Sequence, residues 1–204
     1  NLSGDINVPA TGGWQAWTTV TASVTLAAGA QTLTVDQDNA GWNVHFISFA
    51  TSGINTSAWY EVVNQNSGLC AGTAGGATAN GTAVEQEPCT AATSQLWQFV
   101  PVAAGEYEVL NEAGQAGAQA WNITGGVGAT SSGVLLQIWP YGGTSNTNEL
   151  FAAEPAGTGY YNFVADNSGL CVDTPGASTA AGVQLQQYTC NATAAQAFSL
   201  VQKG

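Results

Sequence analysis

Two stretches decide the fold: VVNQNSGLCAGTAGGATANGTAVEQEPCTAATSQLWQF at residues 62–99 and FVADNSGLCVDTPGASTAAGVQLQQYTCNATAAQAFSL at residues 163–200. Both carry Asn-Ser-Gly-Leu-Cys, a turn region rich in Gly, Thr and Ala, a Val-led strand, a second Cys and a closing Gln-x-aromatic triplet. A degenerate copy lies between them, VLNEAGQAGAQAWNITGGVGATSSGVLLQIWPYGGTSNTNELF at residues 109–151, with Ala120 and Tyr141 in the cysteine places. The closing triplets are Gln95-Leu96-Trp97, Glu149-Leu150-Phe151 and Gln196-Ala197-Phe198. The chain therefore repeats with a period of about 50 residues, and each repeat is one structural unit leaning on its neighbours.

The cysteines follow the repeats. Cys70 and Cys89 are 19 residues apart, as are Cys171 and Cys190. Equal spacing in similar local sequence points to two equivalent disulfides, one inside each repeat. A zinc site needs ligands in short pairs, and none exists here. Each bridge closes a loop of about 20 residues and stabilises by about 3 kcal/mol on the chain-entropy model. Disulfides imply an oxidising, extracellular compartment.

Composition agrees with many short strands. There are 26 Gly, no Met, 45% apolar residues and only 7% charged ones. Stretches such as Tyr60–Val63 and Tyr107–Leu110 alternate as strands do, and no apolar stripe of helical period stands out. The net charge of −12, with one basic residue against 13 acidic ones, argues against nucleic acid and anionic membranes as partners. A neutral, hydroxyl-rich partner fits better. No run of 18 apolar residues appears, so no membrane span is expected, and no signal peptide is recognisable; for a secreted protein it was removed or lay upstream.

Three repeats closing in Gln-x-Trp/Phe, with Gly-Leu-Cys-Val-Asp at residues 169–173, resemble the ricin-B-type β-trefoil lectins, carbohydrate-binding module family 13. The likeness covers about residues 58–202, with repeats at about 58–102, 103–154 and 155–202 in a domain of 58–204. It implies an all-β barrel capped by hairpins, with Trp97, Phe151 and Phe198 packed on a pseudo-threefold axis. It also implies a shallow sugar pocket in each repeat. There an Asp after the first Cys accepts hydroxyl hydrogen bonds, and an aromatic two residues before the second Cys stacks on the sugar's C–H face. Carried onto this chain, the third repeat keeps Asp173, Gln186, Tyr188 and Asn191, with Ala195 where the family has a further Asn. The second keeps Asn122, Gln137, Trp139 and Asn148. Asn lacks charge assistance, so weaker binding is expected there. The first has Gly72 and Glu87 in the key places and reads as structural.

Residues 1–53 fall outside the repeats. VPATGGWQAWTTV and GWNVHFISF resemble the C-terminal half of the family 6 β-sandwich carbohydrate-binding module, which implies sugar contacts from Trp14 and Asn43. Strands are expected at Trp17 to Val24, Gln31 to Val35 and Asn43 to Phe49, with 54–57 as linker. Half a sandwich leaves strand edges and an apolar face uncovered, which suggests either a piece of a longer chain, the C-terminal region of a secreted glycoside hydrolase, or another segment that completes the sheet.

Blander readings stand beside these. Tyr188 and Trp139 also fit surface-strand aromatics, and Asp173 in CVDTPG also fits a turn cap. Trp14 and Asn43 are balanced between ligand and core. Trp17, Trp42, Trp59 and Trp121 read as packing, and the single His45 as structural. Asp36 and Asp38 read as turn residues, so no metal or cofactor is expected. No catalytic residue is assigned: one His and paired cysteines leave no nucleophile to build, and no carboxylate pair sits in a signature. Asn55, Asn80, Asn122 and Asn191 head N-x-S/T sequons, two of them on proposed sugar contacts. Carbohydrate binding is thus the expected function, with a protein-binding trefoil as the alternative.

Overall fold

In the computed structural model, residues 5–13, 15–20, 32–36, 38–39, 41, 43–45, 47, 53–103 and 105–203 are described. Residues 54–204 form strands β1 (Trp59–Asn64), β2 (Cys70–Thr73), β3 (Val84–Glu87), β4 (Leu96–Ala103), β5 (Glu106–Asn111), β6 (Gln119–Ile123), β7 (Leu136–Pro140), β8 (Phe151–Pro155), β9 (Tyr161–Ala165), β10 (Leu170–Asp173), β11 (Val183–Gln184), β12 (Gln186–Tyr188) and β13 (Phe198–Lys203). Among the described residues the only helical elements are single 3-10 turns, as the missing 3.6-residue stripe foretold.

Six of these strands close on themselves. β1 pairs with β4, β4 with β5, β5 with β8, β8 with β9, β9 with β13, and β13 returns to β1. Closure leaves this ring no free edge. The hairpins β2–β3, β6–β7 and β10–β12 stand off the ring, one per repeat. This is the β-trefoil arrangement that the repeats imply.

The ring and hairpins share one core. Trp97, Phe151 and Phe198 are all buried, as expected of the closing triplets, and so is Trp121. Val62, Val109 and Phe163 fill the matching strand positions of the three repeats. Trp121 packs edge-on against Phe151 and Phe163, and Trp97 donates its indole N–H to the Ala71 carbonyl at 2.8 Å. The closing triplets have a second task. Gln95, Glu149 and Gln196 each accept the backbone N–H that follows the cysteine place, from Thr90, Gly142 and Asn191, at 2.8 Å in every repeat. A buried amide must find a partner, which is why the triplet opens with Gln or Glu.

The disulfides Cys70–Cys89 and Cys171–Cys190 form as paired in the sequence, each spanning 19 residues. The second repeat does without a bridge. The single Lys203 side chain reaches Glu61 at 2.9 Å, across the β1–β13 seam that closes the ring.

The chain divides into two compact units, Asn1–Gly53 and Ile54–Gly204. Residues 54–57, expected as linker, belong to the second. Ile54 is buried in its core, Tyr60 Oη accepts the Asn55 N–H at 2.9 Å, and Gln98 donates to the Thr56 carbonyl at 2.9 Å. An apolar side chain beside an open core gains more from burial than a free tether does.

In the first unit no described residue lies in a strand. The expected strands do not form at 17–20, 32–35, 43–45 or 47, and the rest of those stretches lies outside the described residues. Trp17, expected in a core, is 46% exposed and lies tilted against His45 with ring centroids 4.8 Å apart. Val35 and Val44 are exposed as well. A strand holds only when its apolar face is covered, and these faces are open. Trp14 and Trp42 lie outside the described residues, and Asn43 is exposed.

Candidate functional site

The hairpin registers bring the sequence-derived residues together. In repeat 3, Cys171 lies opposite Tyr188 and Asp173 opposite Gln186 on β10 and β12. Side chains two apart on a strand share a face, so Asp173, Gln186 and Tyr188 form one patch. Gln186 Nε2 donates to Asp173 Oδ2 at 2.7 Å. Asp173 is 5% exposed, at the floor of the patch, while Tyr188 is 42% exposed at its rim. Burial pushes the Asp173 carboxyl above the usual carboxylate range, and hydrogen bonds from Gln186 and Gln196 partly offset that.

The turn-cap alternative for Asp173 is not what the backbone does. The 3-10 turn Pro175–Ala177 has Thr174 at its N-cap and no side-chain cap bond, and Asp173 remains in β10. Asn191 is exposed, and its Oδ1 is taken by the Thr193 N–H and hydroxyl at 3.1 and 2.7 Å.

Repeat 2 has the same layout with different partners. Asn122 lies opposite Gln137 and Ala120 opposite Trp139. Gln137 Nε2 donates to Asn122 Oδ1 at 3.0 Å, and Asn122 Nδ2 donates to Glu149 Oε1 at 2.9 Å. Trp139 is 43% exposed. Asn148 is buried and donates to the Ile123 carbonyl at 3.1 Å. Asn122 is 6% exposed and bonded at both ends, so in the folded chain its sequon is closed, whereas Asn55, Asn80 and Asn191 are exposed. Burial and then Glu149 hold the Glu108 carboxyl above its ordinary range. Burial, then Glu108 and Glu149, raise the Tyr141 phenol.

In repeat 1, Gly72 lies opposite Glu85 and Cys70 opposite Glu87. A Cβ on Gly72 would come within 2.9 Å of Gln95 Cγ, so the Asp of repeat 3 has no room here unless Gln95 moves. A cavity of about 290 Å³ nonetheless persists, lined by Thr73, Glu87, Thr90, Ser94 and Gln95 among others.

Two features escaped sequence reading. The first is that each patch borrows a wall from the preceding repeat. Leu135 bridges Gln186, Ser132 Oγ lies 3.0 Å from Thr189 Oγ1, and Ala83 bridges Gln137 beside Trp139. The turns need glycine at Gly81 and Gly133, whose φ values are +82° and +87°. The second is a pair of fully buried glutamines. Gln86 donates to the Ser178 and Ala180 carbonyls at 3.0 and 2.6 Å; Gln187 donates to the Ala129 and Ser131 carbonyls at 2.8 and 2.9 Å. Ser67 and Ser168 donate to their Oε1 atoms at 2.8 Å. A signal was present: both disulfide repeats carry Ser three residues before the first Cys and Gln sixteen after it, whereas the middle repeat has Gly117 in the first place and, by hairpin register opposite Trp121, Ile138 in the second.

Comparison with known proteins agrees with the fold. A family model described as "Ricin-type beta-trefoil lectin domain-like" matches residues 38–139, 115–188 and 147–204, and "Carbohydrate binding module (family 6)" matches residues 1–51. The designed threefold-symmetric protein ThreeFoil is similar, with TM-score 0.65, 26% identity, 70% of this chain and 97% of that one covered. An exo-β-1,3-galactanase from Clostridium thermocellum has TM-score 0.66 at 23% identity, over 74% of this chain and 31% of its own. The Macrolepiota procera ricin B-like lectin, solved with lactose, has TM-score 0.58 at 14% identity, over 74% of this chain and 100% of its own. Among curated proteins, the clotting factor G alpha subunit of Tachypleus tridentatus is 41% identical over 44 residues, which is 22% of this chain and 6% of that protein.

Proposed function

The chain belongs to the ricin-type β-trefoil lectin-like family, and from that premise we propose that residues 54–204 bind saccharide without cleaving it, chiefly at repeat 3. The observation that carries this reading is the Asp173–Gln186–Tyr188 patch. A pyranose ring has one C–H face and a rim of hydroxyls. The exposed Tyr188 ring offers a stacking surface for the first, and the Asp173 carboxyl offers acceptors for the second. Gln186 holds one oxygen of that carboxyl at 2.7 Å and so fixes its orientation.

Repeat 2 serves as a weaker second site through Trp139, Gln137 and Asn122, because Asn122 spends its donors on Glu149. Asn191 contributes at the edge of the repeat 3 site, and Asn148, buried on the Ile123 carbonyl, supports repeat 2 from within. Trp14 and Asn43 add contacts from residues 1–53. Several weak contacts on one chain suit a repeating polysaccharide, where linked sites gain affinity by effective concentration. The reading places the chain outside the cell, as the targeting region of a glycoside hydrolase, with galactoside, xylan and β-glucan as the ligand classes to separate.

The test is a glycan array with the full chain, followed by titration of the best ligand against Tyr188→Ala and Asp173→Ala. Each change is expected to weaken binding at least about tenfold, the scale of one lost stacking or charge-assisted contact. Unchanged affinity in both variants sinks the repeat 3 site.

A further inference from the structure

In the hairpin patches of repeats 2 and 3 one glutamine carboxamide points the same way. Gln186 Nε2 donates to Asp173 Oδ2 at 2.7 Å, and Gln137 Nε2 donates to Asn122 Oδ1 at 3.0 Å. Each Oε1 thereby turns towards the glycine turn of the preceding repeat. A Cβ built on Gly133 would stand 3.9 Å from Gln186 Oε1, and one on Gly81 3.7 Å from Gln137 Oε1. In repeat 3 the cause is plain, because a carboxylate only accepts. In repeat 2 the strand residue is an amide, which can face either way, and its direction is set one step deeper. Glu149 stands where the other repeats have Gln95 and Gln196. Those two donate Nε2 to the Pro88 and Thr189 carbonyls at 2.9 and 3.0 Å, and each accepts a backbone N–H through Oε1 at 2.8 Å. Glu149 accepts the matching N–H, from Gly142, through Oε2 at 2.8 Å, and its Oε1 takes Asn122 Nδ2 at 2.9 Å. Asn122 is 6% exposed and Glu149 2%, so this charge-assisted bond is made away from bulk water, where it is strong.

We propose that Glu149 is the positioning residue of repeat 2: it fixes the direction of the Gln137–Asn122–Glu149 relay and so presents Gln137 Oε1 as an acceptor for a ligand hydroxyl. Glu149 itself does not touch the ligand. The negative charge that repeat 3 carries on the hairpin at Asp173 stands in repeat 2 on the closing triplet, and Asn122 passes its effect outward. The relay runs one way because its last member can only accept. The outcome is the polarity of repeat 3, with Gln137 beside Trp139 on β7 as Gln186 is beside Tyr188 on β12. This rests on the saccharide reading and adds to it a residue outside the patch. Glu149→Gln leaves one acceptor, which the Gly142 N–H requires, and turns a donor towards Asn122 Nδ2. Asn122 and Gln137 must then reverse, and Gln137 offers N–H groups where it offered Oε1.

The experiment is calorimetric titration of the full chain carrying Tyr188→Ala, which silences repeat 3. The probes are lactose, xylotriose and laminaritriose, one for each ligand class. Glu149→Gln is expected to weaken binding at least about tenfold. It keeps an acceptor for the Gly142 N–H, as Gln95 and Gln196 do in their repeats, so the loop is retained. Adding Asn122→Asp to it is expected to restore affinity to within about twofold, because an acceptor-only side chain then meets Gln137 as Asp173 meets Gln186. Asn122→Asp alone sets two carboxylates together and should lower the Tm, and the double change should recover it, with near-UV circular dichroism as the folding check. Gln137→Met removes the presented oxygen and should match Glu149→Gln, with no further loss when the two are combined. Undiminished affinity in Glu149→Gln overturns the proposal, as does a loss that Asn122→Asp fails to restore, which signals a merely structural Glu149. Binding by wild type that Tyr188→Ala abolishes for every probe overturns it too, by removing repeat 2 as a site. If wild type binds none of the three, the saccharide reading falls and takes this proposal with it, so the two failures are read separately.

Discussion

Replacing Gln187 by alanine removes the side chain that ties repeat 3 to the turn of repeat 2. Gln187 is fully buried, donates to the Ala129 and Ser131 carbonyls at 2.8 and 2.9 Å, and accepts from Ser168 Oγ at 2.8 Å. Three such bonds contribute about 1 kcal/mol each. Some of that is recovered. The Ala129 carbonyl keeps Asn167 Nδ2 at 3.0 Å, and the exposed Ser131 regains water. The void left by the side chain adds about 1 kcal/mol. The net loss is about 3 kcal/mol, a fall in Tm of about 6–12 °C for a domain of this size. Urea unfolding followed by near-UV circular dichroism measures it. Gln187→Ile is the control, because Ile138 fills the same place in repeat 2; it keeps the volume, drops the bonds and should cost about 1 kcal/mol. The alanine variant should also weaken sugar binding, since the tethered turn carries Ser132 and Leu135 against Thr189 and Gln186. A loss under about 0.5 kcal/mol for alanine, or wild-type stability for isoleucine, refutes the role given to these bonds.

The double change Cys171→Ala, Cys190→Ala should cost about 3 kcal/mol in urea unfolding yet leave the near-UV spectrum native, because repeat 2 folds around Ala120 and Tyr141 without a bridge. Lys203→Met should cost about 1–2 kcal/mol, less than a fully buried pair, since Lys203 is partly solvated while Glu61 is not. Thermal unfolding across pH tests the raised carboxyls. Glu85, Glu108 and Asp173 hold protons more tightly folded than unfolded. Their contribution is therefore fully present below the ordinary carboxylate range of about 4 and is lost as pH rises through the raised values. The Tm should fall as pH rises above about 4, and Glu108→Gln should flatten the fall; a flat or rising wild-type profile contradicts it.

Much of the site was legible because hairpins convert sequence offsets into neighbours. Once Cys171 and Cys190 fix the third hairpin, Asp173, Gln186 and Tyr188 must meet on one face, and so must Asn122, Gln137 and Trp139 by repetition. Other parts were not. Asn148 matches the family pattern but turns inward to the Ile123 carbonyl. Glu149 fits the triplet pattern, but nothing local says that its carboxylate holds Asn122. Repeat 1 reads as structural because Asp and aromatic are missing, and its cavity appears only when β2, β3 and the Thr93–Gln95 turn are assembled. In residues 1–53 the alternation of strands was visible, but alternation states only which face would be buried, not whether a partner buries it.

The repeats, the disulfide pairs and the three closing aromatics belong to the sequence itself, because period, spacing and side-chain type act over a few residues and need no knowledge of the remainder. The closed six-strand ring, the walls that one repeat lends to the next, and the seat of Lys203 on Glu61 were decided by tertiary structure. These contacts join residues far apart in the chain, and their strength depends on burial and on the competition among partners once the ring has closed.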